Sequence, residues 1–185
     1  MNLRECFDRH KCDRGGRHGY ERVYEPLFSP IRERNLRILE IGIYKGAGIS
    51  SWLDYFPNAT IFGVDTFQRI NWNSVAVLKN PRVQWAEMNT ADNPEWVIRA
   101  ANVLEEIGDN YDIIFDDGSH DSEAQRLTFL NFFPKLSPEG YYFIEDVFPD
   151  NYDTRKLYEA VTPYKAHDLR TKEIRDSLIL EIRKC

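Results

Sequence analysis

Residues 39–48 read LEIGIYKGAG, and this stretch decides the fold of the chain. The apolar run from Arg37 to Ile41 is typical of a buried strand, and the pattern from Ala47 to Phe56 is typical of a helix. The three glycines of the stretch allow a tight turn and the close approach of a ligand to the backbone. Because the turn leads into a helix N-terminus, the sequence predicts a natural site for an anionic group at this point.

The rest of the chain alternates strand-like and helix-like segments. The further predicted strands are Ala59–Val64, Arg82–Ala86, Tyr111–Phe115, Tyr141–Glu145, Tyr164–Leu169 and Ser177–Arg183. The further predicted helices are Glu95–Ile107, a helix capped by Ser122 that runs to Leu136, and a short helix from Asp153 or Thr154 to Val161. This alternation favours a layered α/β fold with a mostly parallel sheet. No helix-length segment separates the last two strands, so we expect them to pair as an antiparallel hairpin at one edge.

Size and composition exclude several classes of protein. The chain has 185 residues, of which 42% are hydrophobic and 29% charged, which fits one folded domain and does not fit a disordered or coiled-coil chain. No apolar run reaches the length of about 18 residues that a membrane span needs, and the N-terminus lacks the apolar run of a secretory signal. The net charge of −6 makes nucleic acid a poor candidate partner. Three cysteines without zinc-site spacing favour a reduced, cytoplasmic protein.

Carboxylates follow two neighbouring strands of the predicted sheet. The segment IIFDDGSHD places Asp116, Asp117 and His120 just after one strand, and FIEDV ends the next strand with Glu145 and Asp146. Adjacent strands of a parallel sheet lie about 4.8 Å apart, and ligands bind outside their C-terminal ends. Carboxylates this close cannot all stay ionised unless a cation lies among them. Oxygen ligands suit a hard divalent ion such as Mg²⁺, so the sequence predicts a metal site with His120 beside the ion.

Each of these residues also has a plainer interpretation. Acidic residues after strands are common helix caps, a role that Asp121 or Ser122 alone could fill, and His120 alone could be a structural turn residue. Asp65 ends the second predicted strand, where a carboxylate can accept hydrogen bonds from ribose hydroxyls, but it could instead cap the next turn. The two acidic segments on consecutive strands favour the metal site, and the glycine turn before Asp65 favours ribose binding.

Five segments resemble known proteins. The form E-x-G-x-x-x-G-x-G at residues 40–48 resembles the first motif of class I S-adenosylmethionine-dependent methyltransferases, whereas the dehydrogenase fingerprint GxGxxG does not fit. The segment DIIFDDGSH, followed by FPKLSPEGYYFIEDV, resembles the metal-dependent sugar O-methyltransferases that act on macrolide antibiotics. That family includes the mycinamicin and demethylmacrocin enzymes. Cephalosporin hydroxylase and rhamnosyl O-methyltransferase proteins are relatives of that family. Similarity to it extends to CDRGGRHGYERVYEPLF at residues 12–28 and to DSLILEIRK at residues 176–184.

The resemblance implies a Rossmann-like class I methyltransferase fold. In this fold a mostly parallel seven-stranded sheet ends in an antiparallel C-terminal hairpin and carries helices on both faces. The resemblance implies one domain over residues 1–185, with a lid-like access segment at 1–36 and the core at 37–185. The implied cofactors are S-adenosyl-L-methionine and Mg²⁺ or another hard divalent ion.

The resemblance also implies roles for individual residues. The implied metal ligands are Asp117, Glu145 and Asp146, and the implied general base is His120. The implied cofactor contacts are Glu40, Gly42, Lys45, Gly46, Gly48, Asp65, Asn89 and Asp116, and the implied substrate contacts are His18, Tyr20 and Tyr24. The sequence AEMNTAD at residues 86–92 departs from the Gly-Asp pair usual in relatives, which leaves the adenine contacts open.

The implied function is O-methylation of a hydroxyl on a small molecule, a sugar or another vicinal diol, in natural product biosynthesis. A second hypothesis keeps the fold but gives it a different, hydroxylase-like chemistry. A third is a non-catalytic nucleotide-binding protein, but such a protein would not need Asp117, His120, Glu145 and Asp146 together. A nucleic-acid methyltransferase is disfavoured by the acidic charge and by the lack of an NPPY-type motif after the fourth strand. We therefore expect a small-molecule partner, neither nucleic acid nor membrane, and leave open self-association into a homo-oligomer.

Overall fold

The computed structural model describes residues 1–90, 108–148, 154–169 and 178–184. Its helices are α1 (Leu3–His10), α2 (Asp13–Gly16), α3 (Glu21–Phe28), α4 (Ala47–Tyr55), α5 (Ser122–Phe132) and α6 (Thr154–Val161). Its strands are β1 (Arg37–Ile41), β2 (Thr60–Asp65), β3 (Val83–Glu87), β4 (Tyr111–Asp116), β5 (Leu136–Val147), β6 (Lys165–Asp168) and β7 (Leu178–Arg183). Short 3₁₀ turns are Trp72–Ser74, Ala76–Lys79 and Phe133–Lys135. The predicted helix Glu95–Ile107 lies outside the described residues.

The strands form one seven-stranded sheet in the order β3-β2-β1-β4-β5-β7-β6. The pairs among strands β1 to β5 are all parallel, and β7 pairs antiparallel with both β5 and β6. The predicted mostly parallel sheet with an antiparallel terminal hairpin is therefore confirmed. Because β1, β2, β4 and β5 are parallel, the loops that follow them all leave the sheet at the same edge.

Helices cover both faces of the sheet, as predicted. On one face, α1, α3 and α4 bury apolar side chains against β1, β4 and β5, and Trp52 stacks on Phe115 with ring centroids 4.4 Å apart. On the other face, Phe129 of α5 and Leu157 of α6 belong to a second core that includes Leu39 of β1. No helix in the described ranges is long and apolar enough to cross a membrane.

The start and end of α5 differ from the prediction. The N-cap is Asp121, whose carboxylate accepts the backbone N–H groups of Glu123 and Ala124 at 3.1 and 3.0 Å. The predicted Ser122 cap was therefore wrong, because the preceding aspartate already satisfies the free N–H groups of the first turn. The helix ends at Phe132 and passes into a 3₁₀ turn, since Pro134 has no N–H with which to continue an α-helix.

Strand β5 is longer than the sequence predicted. It begins at Leu136, five residues before the predicted start at Tyr141, and it includes Pro138 and Gly140. The strand accommodates this stretch through an irregularity: its pairing with β4 shifts register between Tyr111 and Ile113. A proline is tolerated where the ladder of hydrogen bonds is interrupted in this way.

Candidate functional site

The loops after β1 and β4 meet at the C-terminal edge of the sheet. The backbone N–H of Asp117 donates to the carbonyl of Ile41 at 2.9 Å, and Gly42 has φ 94°. A Cβ atom at Gly42 would collide with the carbonyl oxygen of Asp117, so only glycine fits there. The glycine turn is therefore packed directly against the acidic loop.

Asp117, His120 and Asp146 form a group that could hold a metal ion, called here the acidic group. One possible ligand atom from each residue lies within 4.8 Å of the others. His120 Nε2 is 3.6 Å from Oδ1 of Asp117 and 3.3 Å from Oδ2 of Asp146. The contact with Asp117, helped by the charge of Asp146, raises the pKa of His120 despite its partial burial. The His120 side chain is 45% exposed, so the acidic group opens to solvent.

A local irregularity of β5 directs Asp146 into this group. Successive side chains of a regular strand point to opposite faces, so Glu145 and Asp146 would otherwise diverge. The pairing of β5 with β7 shifts register between Ile144 and Val147, and Asp146 has φ 54°. Bulges of this kind re-aim side chains next to active sites, and left-handed non-glycine residues persist where their surroundings hold them.

Arg14 of α2 lies at the centre of the buried charges. Its Nε donates to both carboxylate oxygens of Glu145, at 2.9 and 2.8 Å. Its Nη1 donates to Glu40 at 3.1 Å, and its Nη2 donates to Asp117 at 2.8 Å. A Cβ atom at Gly48 would collide with both Glu40 and Arg14, so this glycine of the turn makes room for the ion pair. Sequence reasoning missed Arg14, because its partners lie 26 to 131 residues away along the chain.

The three carboxylates of Glu40, Asp117 and Glu145 bind the one guanidinium of Arg14. Burial raises the pKa of Glu40 to about 7 and the pKa of Glu145 well above its usual value, although Arg14 opposes both shifts. Burial also disfavours the charged form of Arg14, but Glu145, Glu40 and Asp117 together raise its pKa well above its usual value. A second positive charge at this place would allow the carboxylates to stay ionised.

The sequence predicted Glu145 as a metal ligand, but Glu145 does not belong to the acidic group. Its carboxylate binds Arg14 and accepts a hydrogen bond from the Tyr24 hydroxyl. His120, rather than Glu145, completes the set of possible ligand atoms that the described residues bring together. A ligand role for Glu145 requires a change in its contact with Arg14, and it stays a prediction.

The three residues predicted to contact a substrate lie in or next to the N-terminal helices. Tyr24 is fully buried among the aromatic side chains of the core, so a substrate would reach it only after a rearrangement, and its predicted contact stays a prediction. Tyr20 is 1% exposed, and its hydroxyl donates to Oδ1 of Asp146 at 2.7 Å. His18 is mostly buried, with Nε2 3.8 Å from a carboxylate oxygen of Asp13.

Asp65 closes the glycine turn from the end of β2. Its Oδ2 accepts the backbone N–H groups of Ile43 and Tyr44, each at 2.8 Å, and its Oδ1 accepts the N–H of Phe67 at 2.7 Å. Asp65 therefore caps the turn that follows it, which does not decide between this role alone and an additional contact with a ligand. Asp65 is also only partly buried, and its predicted contact with a ribose stays a prediction.

The other predicted cofactor residues lie along the same edge. Gly46 has φ 79° and precedes α4, while Lys45 is exposed with its amine over the Tyr44 ring. Asn89 follows β3, and Asp116 ends β4 in a buried position. Burial raises the pKa of Asp116 to about 8, and its Oδ2 has no hydrogen-bond partner among the described residues.

A cavity of about 490 Å³ opens at the ends of β2 and β3. It is lined by residues 67–72 and by Glu87, which stands opposite Asp65 in the register of the two strands. The cavity therefore adjoins the turn that Asp65 closes, on the side away from the acidic group in the strand order.

A family model described as a methyltransferase domain matches residues 39–147. The matched region begins at the glycine turn and ends with β5, so it contains Asp65 and all of the acidic group. More than half of the chain lies within the match.

Curated relatives are named sugar O-methyltransferases. The L-olivosyl-oleandolide 3-O-methyltransferase of Streptomyces antibioticus is 37% identical over 141 residues, which cover 72% of this chain and 34% of that protein. The 8-demethyl-8-alpha-L-rhamnosyl tetracenomycin-C 2'-O-methyltransferase of Streptomyces olivaceus is 32% identical over 146 residues, which cover 75% of this chain and 36% of that protein. The chain thus spans about a third of the length of these relatives. The predicted resemblance to sugar O-methyltransferases is confirmed.

A solved structure with the same fold is the MycE methyltransferase from the mycinamycin biosynthetic pathway, in complex with Mg, SAH and mycinamycin VI. It matches with a TM-score of 0.76 at 22% sequence identity, over 100% of this chain and 54% of that chain. The comparison confirms the predicted fold class.

Proposed function

Since the chain belongs to the methyltransferase-domain family, we propose that it is an O-methyltransferase that uses S-adenosylmethionine and a divalent cation to methylate a hydroxyl of a small molecule. The observation that carries the proposal is the contact between Gly42 of the glycine turn and Asp117 of the acidic group. A methyl donor at the turn and a hydroxyl at the acidic group would be held next to each other, which is most of what this reaction needs. The names of the relatives support a sugar, or another vicinal diol, as acceptor.

The acidic residues fit a hard divalent cation such as Mg²⁺. Asp117 and Asp146 offer carboxylate oxygens at the open end of the site. Behind them, Arg14 binds Glu40 and Glu145 as well as Asp117, so these carboxylates exceed the positive charge available to them. A divalent cation would offset the excess, and carboxylate oxygens are the ligands that such a cation prefers. We propose Asp117 and Asp146 as ligands, with Glu145 as a third.

The glycine turn and the neighbouring strand ends fit S-adenosylmethionine. Oδ2 of Asp116 has no hydrogen-bond partner among the described residues and could accept one from a ligand, and the cavity beyond Asp65 could take a nucleoside at the ends of β2 and β3. The proposed cofactor contacts are Glu40, Gly42, Lys45, Gly46, Gly48, Asp65, Asn89 and Asp116. Among these, the buried Glu40 would act through Arg14 and the shape of the turn rather than by direct contact, because its carboxylate binds the guanidinium.

We propose His120 as the base that takes the proton of the acceptor hydroxyl. When bound, the cation supplies Lewis-acid activation of the hydroxyl, and S-adenosylmethionine supplies the methyl group. The imidazole of His120 stands at the solvent side of Asp117 and Asp146, where an acceptor would arrive. The contact of the imidazole with the Asp117 carboxylate raises the pKa of His120, which makes the neutral ring a stronger base.

We further propose that residues 1–36 and 37–185 form one domain. Arg14 and Tyr24, from the first part, both bind the buried carboxylate of Glu145, from the second. The N-terminal helices therefore bind a buried residue of the site. A lid, as predicted from the sequence, would only cover the site.

Methylation of sugars by the full chain tests the proposal. The protein would be incubated with S-adenosylmethionine, Mg²⁺ and a panel of deoxysugar glycosides that present vicinal diols. Mass spectrometry would then search for one added methyl group per acceptor and for S-adenosylhomocysteine. A methylated glycoside formed only in the presence of the protein is the expected result. Release of S-adenosylhomocysteine without a methylated product would favour a different chemistry of the same fold, and failure to bind S-adenosylmethionine would contradict the proposal.

A further inference from the structure

Each carboxylate of the acidic group has one oxygen bound by a residue of the N-terminal part of the chain and the other directed towards His120. For Asp117, Arg14 Nη2 donates to Oδ2 at 2.8 Å, whereas Oδ1 lies 3.6 Å from His120 Nε2. For Asp146, the Tyr20 hydroxyl donates to Oδ1 at 2.7 Å, whereas Oδ2 lies 3.3 Å from the same nitrogen. Two unrelated donors therefore hold the two carboxylates in the same way.

Arg14 and Tyr20 belong to one buried unit. The backbone N–H of Tyr20 donates to the carbonyl of Arg14 at 2.7 Å, and the two residues are 1% and 2% exposed, respectively. The Tyr20 ring packs edge-on against Tyr24 with centroids 6.2 Å apart, and the Arg14 guanidinium is also bound by Glu145 and Glu40. Donors that are fixed this firmly restrict the rotamers of the carboxylates that they bind.

We propose that Arg14 and Tyr20 are positioning residues that hold Asp117 and Asp146 so that each offers one oxygen to a divalent cation. The inference rests on the proposed function, from which it takes the cation. A carboxylate with one oxygen bound by a fixed donor presents the other oxygen in a defined direction, which favours coordination through a single oxygen. Tyr20 thus acts on a ligand of the cation, a role different from the substrate contact predicted for it.

The hydrogen bond from Tyr20 also bears on the backbone of Asp146. This residue has φ 54°, a conformation that a non-glycine residue keeps only where the surroundings hold it. The Tyr20 hydroxyl is one of the contacts that hold it, so its loss frees the Asp146 side chain to turn away from Asp117. A purely structural hydrogen bond would, in contrast, change the stability of the fold without changing the affinity for a cation.

The decisive variant is Tyr20→Phe, which removes one oxygen atom and keeps the buried ring. Its matched control is Tyr55→Phe in α4. Tyr55 is also buried, and its hydroxyl donates to a carboxylate oxygen of Glu25 at 3.1 Å, outside the acidic group. Both variants lose one tyrosine–carboxylate hydrogen bond on the same face of the sheet. Arg14→Lys is a second test, because lysine keeps the charge but lacks the planar fork that binds several carboxylates at once.

The experiment is a titration of the full chain with Mn²⁺, a hard divalent probe, in which electron paramagnetic resonance measures the free ion. We expect the wild type and Tyr55→Phe to bind Mn²⁺ with the same Kd, and Tyr20→Phe and Arg14→Lys to bind it about 10–100-fold more weakly. Circular dichroism would establish that each variant is folded. An unchanged Kd for Tyr20→Phe overturns the inference and leaves the cation site standing.

A further variant, Asp146→Asn, separates the two proposals. If the wild type binds no Mn²⁺, or if Asp146→Asn binds it as tightly as the wild type, the proposed cation site itself is wrong and the inference falls with it. If Asp146→Asn abolishes binding and Tyr20→Phe weakens it, both proposals are supported.

Discussion

Gly42 and Asp117 are in direct contact, and the carbonyl oxygen of the aspartate occupies the space that a side chain at residue 42 would need. One residue lies in the turn proposed for the methyl donor, and the other carries a proposed ligand of the cation. The two parts of the site therefore pack directly against each other, so a displacement of one part displaces the other.

Gly42→Ala should destabilise the fold by roughly 2–5 kcal/mol, as the sum of a left-handed backbone at a non-glycine residue and an overpacked contact. Urea denaturation followed by circular dichroism measures the change. Gly16→Ala is the matched control, since the nearest atom to its new Cβ is an Arg4 side-chain nitrogen at 3.8 Å. We expect Gly16→Ala to change the free energy of unfolding by no more than about 0.5 kcal/mol. Equal effects of the two substitutions would contradict the contact.

Asp65→Ala should remove the stabilisation that S-adenosylhomocysteine gives to the wild type. At a concentration a hundredfold above its Kd, a ligand raises the free energy of unfolding by about 2.7 kcal/mol. The substitution deprives three backbone N–H groups of the glycine turn and the next turn of their acceptor. The control is Asp112→Ala. In the wild type, the carboxylate of Asp112 accepts the N–H of Arg37 at the opposite edge of the sheet. The prediction fails if S-adenosylhomocysteine protects the Asp65 and Asp112 variants equally in a thermal-shift assay.

Removal of the cation should abolish turnover. We expect a chelator to reduce methyl transfer to background and added Mg²⁺ to restore it. In Asp117→Asn and Asp146→Asn, the stimulation of turnover by Mg²⁺ should fall by more than the ~10–100-fold that is typical when a residue behind a metal ligand is replaced. The affinity of both variants for S-adenosylhomocysteine should stay close to that of the wild type. Glu159→Gln, in an exposed ion pair with Arg155 of α6, should respond as the wild type does. Full activity in chelator would exclude the cation from the reaction.

His120→Ala should lower turnover by about 10²–10⁴-fold, the usual contribution of a positioned base. Isothermal titration calorimetry should find the affinities for S-adenosylhomocysteine and Mg²⁺ almost unchanged, and His10→Ala, at a residue paired with Asp54 on α4, should leave turnover unaltered. A loss of Mg²⁺ affinity in His120→Ala would instead make His120 a ligand of the cation.

Wild-type turnover should rise with pH, because only the neutral imidazole of His120 accepts a proton. Without a cation, the contact with Asp117 and the charge of Asp146 raise the pKa of His120 above its ordinary value, so the neutral form develops at a higher pH than in a free imidazole. A bound cation repels the protonated ring and should move the rise to lower pH. Initial rates measured across pH at two Mg²⁺ concentrations check both statements. A flat profile would exclude His120 as the base.

Sequence patterns predicted those parts of the molecule that depend on local order and topology. Strand β1 has the predicted bounds, since an apolar run before a glycine turn has few alternatives. The meeting of Asp117 and Asp146 also followed from the sequence, because parallel neighbouring strands must end at the same edge of the sheet.

Contacts between distant parts of the chain could not be predicted in this way. Arg14 is one of several arginines in a basic segment, and nothing in its neighbourhood distinguishes it as buried. The direction of Glu145 depends on an irregularity of β5 that the sequence does not reveal, and the burial of Tyr24 depends on how α3 docks on the sheet. The contacts of Arg14 and Tyr24 with Glu145 join the N-terminal helices to a distant strand, and local sequence patterns do not reveal such contacts.

The contact of Arg14 with Glu145 has a consequence for the order of folding. It joins residues 131 positions apart, and the closure of so long a segment is costly in chain entropy and slow. During synthesis, Arg14 leaves the ribosome long before Glu145, so its guanidinium stays in water until β5 is complete. We expect pulse-labelling hydrogen exchange during refolding to protect the amides of β1 and β4 before the amide of Tyr20, and simultaneous protection would contradict this order. The nascent chain would then form its glycine turn before any charge is buried beside it.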